Sequence, residues 1–463
     1  MVNDSVYDAL VEIVGEDYAS NQPEELFMYS MDMVTEGPRK VDYVAIPRTT
    51  EQVQKIVRMA NERRIPIVPM GGSQNLAGLC LPVQGGIVLD MKRMDRIVEV
   101  NRMGRYAIIE AGVTQGALGS YLEKHYPDLE HSRPECPPAA TIIGNLLIRG
   151  HGHLSLRHGN NAEMINSMEV VLPTGDICNI GSSSVSSYWF CKGPLPELSG
   201  LFMGWLGTTG VVTKLSLKLY PKRKLIDVTG FEVNNPDLLP DVLYRITYTD
   251  IVENLFLYGA VPVEGGDVPQ YITITITGDT EEDLEYKRNV FRRVARESSE
   301  GNNQVEFMEV VPEFFKDRLV EKPPYVSSAL TADFDKGGGF RYCAAILPVE
   351  KIPEAWRRGI ELSHKHGVPF LTGVQLLGYC HSAMFGFVYT FNRADESSIE
   401  RMEAALDEAN KTTLEMGGLL WHPELKGQKQ MLDKMDPNTY ELIQRIKETL
   451  DPNGIMNPGN WSK

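Results

Sequence analysis

The chain has 463 residues, which is more than one hydrophobic core normally organises, so two domains are expected. Its 62 acidic and 46 basic side chains give a net charge of −16. That balance argues against nucleic acid as a partner, because phosphates attract Lys and Arg. No apolar run is long enough to span a bilayer, and the first residues lack a signal peptide's basic and apolar regions. We therefore expect a cytoplasmic protein without a transmembrane segment.

The six cysteines are widely scattered, and no C-x-x-C pair occurs. Iron–sulfur, structural zinc and c-type haem motifs are therefore missing from the sequence. We predict reduced thiols and no metal site.

The first 130 residues alternate between helical and strand patterns. Thr50 is a plausible N-cap for a helix over 50–61, because apolar Val53, Ile56 and Val57 share one helical face. The other predicted helices here cover 6–14 and 115–125, and the predicted strands cover 66–68, 87–89, 97–100 and 106–110.

A glycine loop connects two of these strands. The run PMGGSQNLAG (69–78) follows one apolar segment and precedes another. Glycine permits positive φ angles and close backbone approach, as a loop that binds a diphosphate through its N–H groups requires. The G-x-G-x-x-G spacing and the Walker lysine are both absent, so the loop points away from Rossmann and P-loop folds.

A Gly- and Pro-rich tract at 134–159 interrupts the pattern and is predicted to be a binding segment. Strands are predicted at 168–172 and 210–219, and we place a domain boundary at residue 222. Beyond it the pattern predicts an antiparallel sheet covered by helices. The strands cover 228–233, 256–263, 271–277, 340–347, 373–379 and 384–391, and the helices cover 237–247, 281–297, 349–366 and 396–416.

Five segments, in order, resemble the FAD-linked oxidoreductases of the vanillyl-alcohol oxidase and p-cresol methylhydroxylase (PCMH) superfamily, which also includes D-lactate and glycolate dehydrogenases. The segments are VAIPRTTEQV (44–53), PMGGSQNLAG (69–78), ATIIGN (140–145), LGTTGVVT (206–213) and DPNGIMNPG (451–459). The resemblance implies an α+β fold with a PCMH-type FAD-binding domain at 1–222 (core about 40–222). It also implies a cap domain at 223–416 and a C-terminal segment, 417–463, that returns to the FAD domain.

The same resemblance implies which residues contact FAD. They are Met70, Gly71, Gly72, Ser73, Gln74, Asn75 and Gly78 of the loop, Thr141, Gly144, Asn145, His151 and Gly152 along the diphosphate and flavin, and Gly207, Val211 and Val212 on the adenine side. No histidine stands at Ser73 or near 339–342, so the FAD is expected to be non-covalent, with Tyr342 as the alternative covalent anchor.

Two branches of the superfamily compete. The segment from Gly144 to Gly152 is similar to the aromatic-alcohol branch, but Ile148 stands where that branch has an acidic residue. Trp421 and His422 stand where it has a Tyr-Arg pair. The histidine motifs typical of the lactate and glycolate branch do not occur.

The predicted catalytic residues are His422, Trp421, His381 and Arg149. A histidine suits the base because its ordinary pKa lies near neutrality. Trp421 and Tyr379 could stack on an aromatic ring, and Arg149 or Arg341 could clamp a carboxylate.

The sequence thus predicts an FAD-dependent oxidoreductase that oxidises a small aromatic or benzylic alcohol or phenol by hydride transfer to flavin N5. The alternatives are a D-2-hydroxy-acid dehydrogenase and a flavin-carrying subunit of a larger redox complex. The expected partners are a small-molecule substrate, an electron-acceptor protein and further copies of this chain.

Overall fold

The computed structural model describes residues 5–32, 37–261, 270–299, 304–311 and 338–463. Its helices and strands confirm the predicted α+β class. Within the described residues, no helix combines the length and apolar character needed to cross a membrane. The last two residues of the strand predicted over 256–263 lie outside the described residues.

The N-terminal region, which we define as the described residues up to 221, builds three sheets. Its helices are α1 (Ser5–Val14), α2 (Pro23–Met28), α3 (Thr50–Arg63), α4 (Gln115–His125), α5 (Ile142–Leu147) and α6 (Ser155–His158). Its strands are β1 (Ala19–Ser20), β2 (Tyr43–Ala45), β3 (Ile67–Met70), β4 (Ile87–Asp90), β5 (Ile97–Asn101), β6 (Tyr106–Glu110), β7 (Leu129–Glu130), β8 (Ile165–Val171), β9 (Ile177–Gly181), β10 (Val211–Lys218) and β11 (Tyr220–Pro221).

These strands form a four-stranded sheet in the order β1-β2-β4-β3, a five-stranded sheet in the order β5-β6-β10-β8-β9, and the pair β11-β7. Strands β2, β4 and β3 are parallel, whereas the five-stranded sheet is antiparallel. One apolar core joins both larger sheets and includes Ile455 and Met456 from the far end of the chain.

The cap region, 225–421, is built on one antiparallel sheet in the order β15-β12-β14-β13-β17-β18-β16-β19. Its strands are β12 (Leu225–Val233), β13 (Asn254–Val261), β14 (Gln270–Gly278), β15 (Val305–Met308), β16 (Gly338–Leu347), β17 (Phe370–Leu377), β18 (Ser382–Asn392) and β19 (Leu419–Trp421). Its helices are α7 (Leu239–Tyr248), α8 (Glu281–Ser299), α9 (Ile352–His366) and α10 (Glu396–Glu415). This arrangement confirms the predicted antiparallel sheet with covering helices.

The period-2 pattern of the cap strands explains which face the helices cover. Ile272, Ile274 and Ile276 of β14 are fully buried in the core shared with the helices. Successive strand side chains point to opposite faces, so the threonines between them face the other way. That other face is directed toward the N-terminal region, as the cavity described below shows.

Several details differ from the predicted elements, and three bear on the argument below. The N-cap of α3 is Thr49, whose side chain accepts from the Gln52 N–H, while the Thr50 hydroxyl donates to Glu169 Oε1 at 2.6 Å. Tyr379 lies beyond β17, in a turn with φ 53°. Helices α11 (Leu425–Lys434) and α12 (Pro437–Leu450) lie outside the predicted elements. The predicted domain boundaries stay a prediction.

Candidate active site

The predicted diphosphate loop begins where β3 ends and packs directly on the segment before α5. The Gly72 N–H donates to Thr141 Oγ1 at 3.3 Å. A Cβ atom at Gly71 would lie 2.4 Å from Thr141 Oγ1, and one at Gly72 would lie 2.5 Å from the Ala139 carbonyl oxygen. These positions therefore accept only glycine, and the cradle suits a group that is held by backbone N–H donors.

The side chains of this loop stabilise the loop itself. Asn75 Oδ1 accepts from the N–H groups of Ala77 and Leu79 at 3.2 and 3.0 Å. Gln74 is exposed and donates to the Gly72 carbonyl, and Ser73 has φ 50°. Met70 is buried in a small core with Val88. The polar side chains of Gln74 and Asn75 thus bond to the loop's own backbone.

The segment after Thr141 is equally tightly packed. Asn145 Oδ1 accepts from Asn161 Nδ2 at 2.7 Å. A Cβ at Gly150 would lie 2.0 Å from Asn145 Nδ2, so Gly150 allows the chain to turn closely over the helix. The Gly144 position is partly exposed, and a Cβ there would lie 2.8 Å from Thr141 Oγ1.

A third turn brings the C-terminus into the same region. Leu206 and Gly207 have φ angles of 55° and 74°, and Asn457 Nδ2 donates to the Leu206 carbonyl at 2.6 Å. Asn457 Oδ1 is buried without a hydrogen-bond partner in the structure as described. Val211 and Val212 are buried, and their backbones pair with β8. Asn457 belongs to the DPNGIMNPG motif, but nothing local to that motif indicates this link.

Three aromatic rings stack next to these turns. The Trp421 ring lies between His151, at 4.6 Å between centroids, and His422, at 3.5 Å. Trp421 Nε1 donates to the Arg149 carbonyl at 3.0 Å, and His422 Nε2 lies 2.9 Å from the Ile148 carbonyl. The edge strand β19 of the cap therefore holds the 148–151 turn of the N-terminal region.

Hydrogen bonding fixes the tautomer of His422. A carbonyl oxygen only accepts, so His422 Nε2 must carry the hydrogen and Nδ1 the lone pair. Burial lowers the pKa of His422 to about 3 and that of His151 to about 3. Both imidazoles are therefore neutral near pH 7.

A cavity opens beside this stack, between the N-terminal region and the cap sheet. Its lining from the N-terminal region consists of Arg133, Glu135, His151, Gly152 and His153. Of the two stacked histidines, only His151 lines the cavity. Its Nδ1 is buried and has no hydrogen-bond partner among the described residues, which indicates a place for a water or a ligand atom.

The opposite wall comes from the face of the cap strands that the helices do not cover. It includes Asn254, Phe256, Tyr258, Thr275, Thr277 and Gln375. The Phe256 and Tyr258 rings stack at 4.6 Å, and Gly373 leaves room for Phe256 because a Cβ there would lie 2.9 Å from that ring. The alternation of Leu255 and Leu257 with these aromatic residues is the signal that identifies this face.

The other predicted catalytic and substrate-binding residues lie away from the cavity lining. His381 is exposed in the turn between β17 and β18. The Arg149 side chain is exposed, and only its carbonyl bonds within the stack. Tyr379 is 38% exposed and accepts from Arg157, while Arg341 is buried on β16. Strand turns and sheet register, which local sequence does not reveal, separate these residues from the cavity.

Two family profiles match the chain. The "FAD binding domain" profile matches residues 41–181, and the "FAD linked oxidases, C-terminal domain" profile matches residues 327–461. Together they cover more than half of the chain, including the glycine loop and β19.

Relatives from both branches align over nearly the full length. D-lactate dehydrogenase of Archaeoglobus fulgidus is 24% identical over 450 residues, covering 94% of this chain and 95% of the relative. The flavoprotein subunit of 4-cresol dehydrogenase (hydroxylating) from Pseudomonas putida is 23% identical over 492 residues, covering 96% and 93%.

Solved structures show the same fold. p-Cresol methylhydroxylase superimposes with a TM-score of 0.85 at 21% identity, covering 99% of this chain and 96% of that chain. 4-Ethylphenol oxidase from Gulosibacter chungangensis gives a TM-score of 0.84 at 20% identity, with the same coverage. By its fold and by both family profiles, the chain belongs to the PCMH-type FAD-linked oxidoreductases, and its cofactor is FAD.

Proposed function

We propose that this enzyme oxidises an aromatic or benzylic alcohol to the corresponding carbonyl compound. The observation that carries this proposal is the stacked Phe256–Tyr258 wall, which faces His151 across the cavity. A flat aromatic wall favours an aromatic ring by stacking and by apolar burial. A relative whose name refers to 4-cresol, aligned over nearly the full length, supports the same substrate class.

The residues of this chain that would hold FAD follow from the glycine cradle. The loop from Gly71 to Gly78 and the segment from Thr141 to Asn145 would hold the diphosphate through backbone N–H groups. The turn at Gly207 and the start of β10 would border the adenine side. The chemistry that FAD supplies when bound is the acceptance of a hydride, at flavin N5, from the carbon that bears the hydroxyl group.

The hydroxyl proton needs an acceptor within the cavity. We assign it to Nδ1 of His151, which lines the cavity and has no partner of its own among the described residues. With FAD bound, the carbinol would give a hydride to the flavin and its hydroxyl proton to His151, so the two-electron oxidation to the carbonyl compound would balance. His422, our sequence-based candidate for the base, donates its Nε2 hydrogen to the Ile148 carbonyl of the 148–151 turn.

A second candidate is the oxidation of a D-2-hydroxy acid. The full-length similarity to D-lactate dehydrogenases favours it. Neither of the predicted carboxylate clamps, Arg149 and Arg341, lines the cavity, whereas Arg133 does.

An anaerobic titration of the purified holoenzyme tests the two candidates. The flavin absorbance band is followed while 4-hydroxybenzyl alcohol and related benzylic alcohols, or D-lactate and glycolate, are added. Bleaching by the benzylic series is the expected result. Bleaching by the simple hydroxy acids alone would replace the proposal with the second candidate, and no bleaching by either series would overturn both.

We also propose a separate protein as the electron acceptor, since the P. putida relative is named as a flavoprotein subunit. The reduced enzyme should then reoxidise slowly in air and rapidly with a one-electron acceptor protein such as a c-type cytochrome. Rapid reoxidation by oxygen alone would instead identify an oxidase.

A further inference from the structure

A largely buried ionic cluster borders the cavity through Arg133 and His153. We name it the Arg133 cluster; it consists of Glu130, Arg133 and His153. The Arg133 backbone N–H donates to His153 Nδ1 at 3.1 Å, so His153 Nε2 carries the hydrogen and faces Glu130 Oε2 at 3.2 Å. The Arg133 guanidinium is the third member of the cluster, and its Nη2 lies 3.8 Å from the same Glu130 oxygen.

The Arg133 guanidinium is poorly supplied with acceptors for a buried cation. Its side chain is 16% exposed, and the 3.8 Å contact with Glu130 is too long for a hydrogen bond. Arg133 Nε is buried without a hydrogen-bond partner in the described part of the chain. Burial lowers the pKa of Arg133, against the opposing effect of Glu130. A buried guanidinium with an open donor normally has a missing acceptor.

A second polar atom beside the Arg133 cluster also lacks a partner. Ser132 Oγ is buried without a hydrogen-bond partner among the residues that are described. It lies directly against Gly152, where a Cβ would come within 2.3 Å of it. Gln375 Nε2 donates to the Gly152 carbonyl at 2.8 Å, which fixes this wall against the cap. Gly152, which packs on Ser132, is therefore fixed in place.

The remaining charges of the lining do not substitute for the missing acceptor. Glu253 Oε2 accepts from Thr277 Oγ1 at 3.3 Å and lies 3.7 Å from Arg157 Nη1. Glu135 is exposed, so water screens its charge. Arg133 is thus the cationic side chain of the lining that has a hydrogen-bond donor available for a ligand.

We propose that Arg133 binds a carboxylate group of the substrate, so that the enzyme's substrate is an aromatic alcohol that also carries a carboxylate. This inference rests on the proposed function for the aromatic part. The planar guanidinium fork matches a carboxylate through two parallel hydrogen bonds, and the aromatic wall opposite would hold the ring. The anchor would determine specificity, while His151 receives the proton.

The test uses benzoate and benzamide as probes, because they share shape and differ in charge. Their dissociation constants are measured from the change in the flavin absorbance spectrum of the holoenzyme at pH 7. The wild-type enzyme should bind benzoate at least about tenfold more tightly than benzamide. Arg133→Met should remove that preference by weakening benzoate alone, and Arg133→Lys should keep part of it.

Arg357→Met is the matched control, since Arg357 forms an exposed ion pair with Asp237 on the cap surface. It should leave both dissociation constants unchanged. Equal binding of benzoate and benzamide by the wild-type enzyme would overturn the inference. Equal weakening of both probes in Arg133→Met and Arg133→Lys would assign Arg133 a structural role instead.

Inorganic phosphate distinguishes a carboxylate anchor from a general anion site. It should not displace benzoate at equal concentration, and displacement would overturn the carboxylate assignment. The probes need no turnover, so the anchor and the proposed function fail separately. Preferential benzoate binding without bleaching by any benzylic alcohol, including 4-(hydroxymethyl)benzoate, would retain Arg133 as an anchor and reject the aromatic-alcohol oxidation.

Discussion

At the residue scale, the two histidines on either side of Trp421 have different surroundings. His422 donates its N–H to the Ile148 carbonyl, whereas His151 borders the cavity and its Nδ1 has no partner among the described residues. The sequence ranked His422 first as the base and placed His151 among the FAD contacts, because the positions of both rings relative to the cavity depend on β19 pairing with β16, which is not a local property.

A pair of substitutions tests this division of roles. His151→Asn should slow anaerobic flavin reduction by a benzylic alcohol by about 100-fold or more, as expected when a proton acceptor is removed. The FAD content should stay unchanged. His422→Gln, which keeps a side-chain N–H donor, should slow the same step far less. A larger loss in His422→Gln than in His151→Asn would reverse the two roles.

A third buried histidine affects stability. His131 Nε2 lies 2.9 Å from Gln115 Oε1, and burial lowers the pKa of His131 to about 3. The unfolded chain, with a histidine pKa of about 6.5, binds this proton first as the pH falls. The contribution of His131 to the free energy of unfolding is therefore fully present above about pH 6.5. It is lost as the pH falls from there toward the pKa of the folded state.

His131→Gln should flatten this pH dependence. At pH 5.5, His131 lowers the free energy of unfolding by about 1.4 kcal/mol relative to its value at high pH. The difference in Tm between pH 7.5 and pH 5.5 should therefore shrink by about 2 °C in the variant. The measurement is thermal unfolding of the holoenzyme with excess FAD at both pH values. An unchanged difference would mean that His131 is protonated in the folded protein or does not titrate.

At the element scale, the two faces of each cap strand have separate functions. Leu255 and Leu257 of β13 enter the core with the helices, while Phe256 and Tyr258 line the cavity. The alternating sequence predicts a half-buried strand, and β13 and β14 confirm it. It does not predict that the second face covers a cavity, because the partner surface comes from residues more than 90 positions away.

The glycine loop is the other element that its sequence identifies. Gly72→Ala should reduce FAD affinity at least about tenfold, because the new Cβ meets the Ala139 carbonyl at 2.5 Å and that backbone cannot move aside without opening the cradle. The measurement is FAD retained after gel filtration, followed by titration of the apoprotein with FAD. Gly200→Ala is the control, since nothing lies within 4 Å of a Cβ there. Equal FAD binding by both variants would contradict the predicted role of the loop.

At the scale of the whole molecule, the chain ends by returning to its first sheet. The Ile67 N–H donates to the Ile455 carbonyl at 2.7 Å, and the Asn457 N–H donates to the Ile67 carbonyl at 2.8 Å. Asn457 then joins the Leu206 turn to this strand through Nδ2. Segments nearly 400 residues apart thus surround the glycine loop together.

Asn457→Ala should destabilise this junction. It leaves the Leu206 carbonyl without its donor and places alanine at φ 36°, so a loss of about 1–3 kcal/mol is expected, with a Tm lower by several degrees. FAD should also dissociate at a lower temperature. Asn453→Ala, which removes an exposed hydrogen bond to Asn61, is the control and should change Tm little. Equal effects of the two variants would show that the junction contributes no special stability.

The class of the protein and the position of most elements follow from features that are local in the sequence. Apolar periodicity placed most helices and strands, because burial of one face is a local property of the pattern. The glycine motifs indicated FAD, because a backbone cradle requires glycine at positions that are close in sequence.

The composition of the cavity depends on the packing of distant segments. His151, Arg133 and Phe256 come from a turn, a connecting segment and a cap strand, and no spacing within the sequence relates them. Likewise, no spacing within the sequence predicts that His381 and Tyr379 lie outside the cavity lining. Strand register, inter-sheet packing and burial determine which side chains face one another, and these arise only when distant segments pack together.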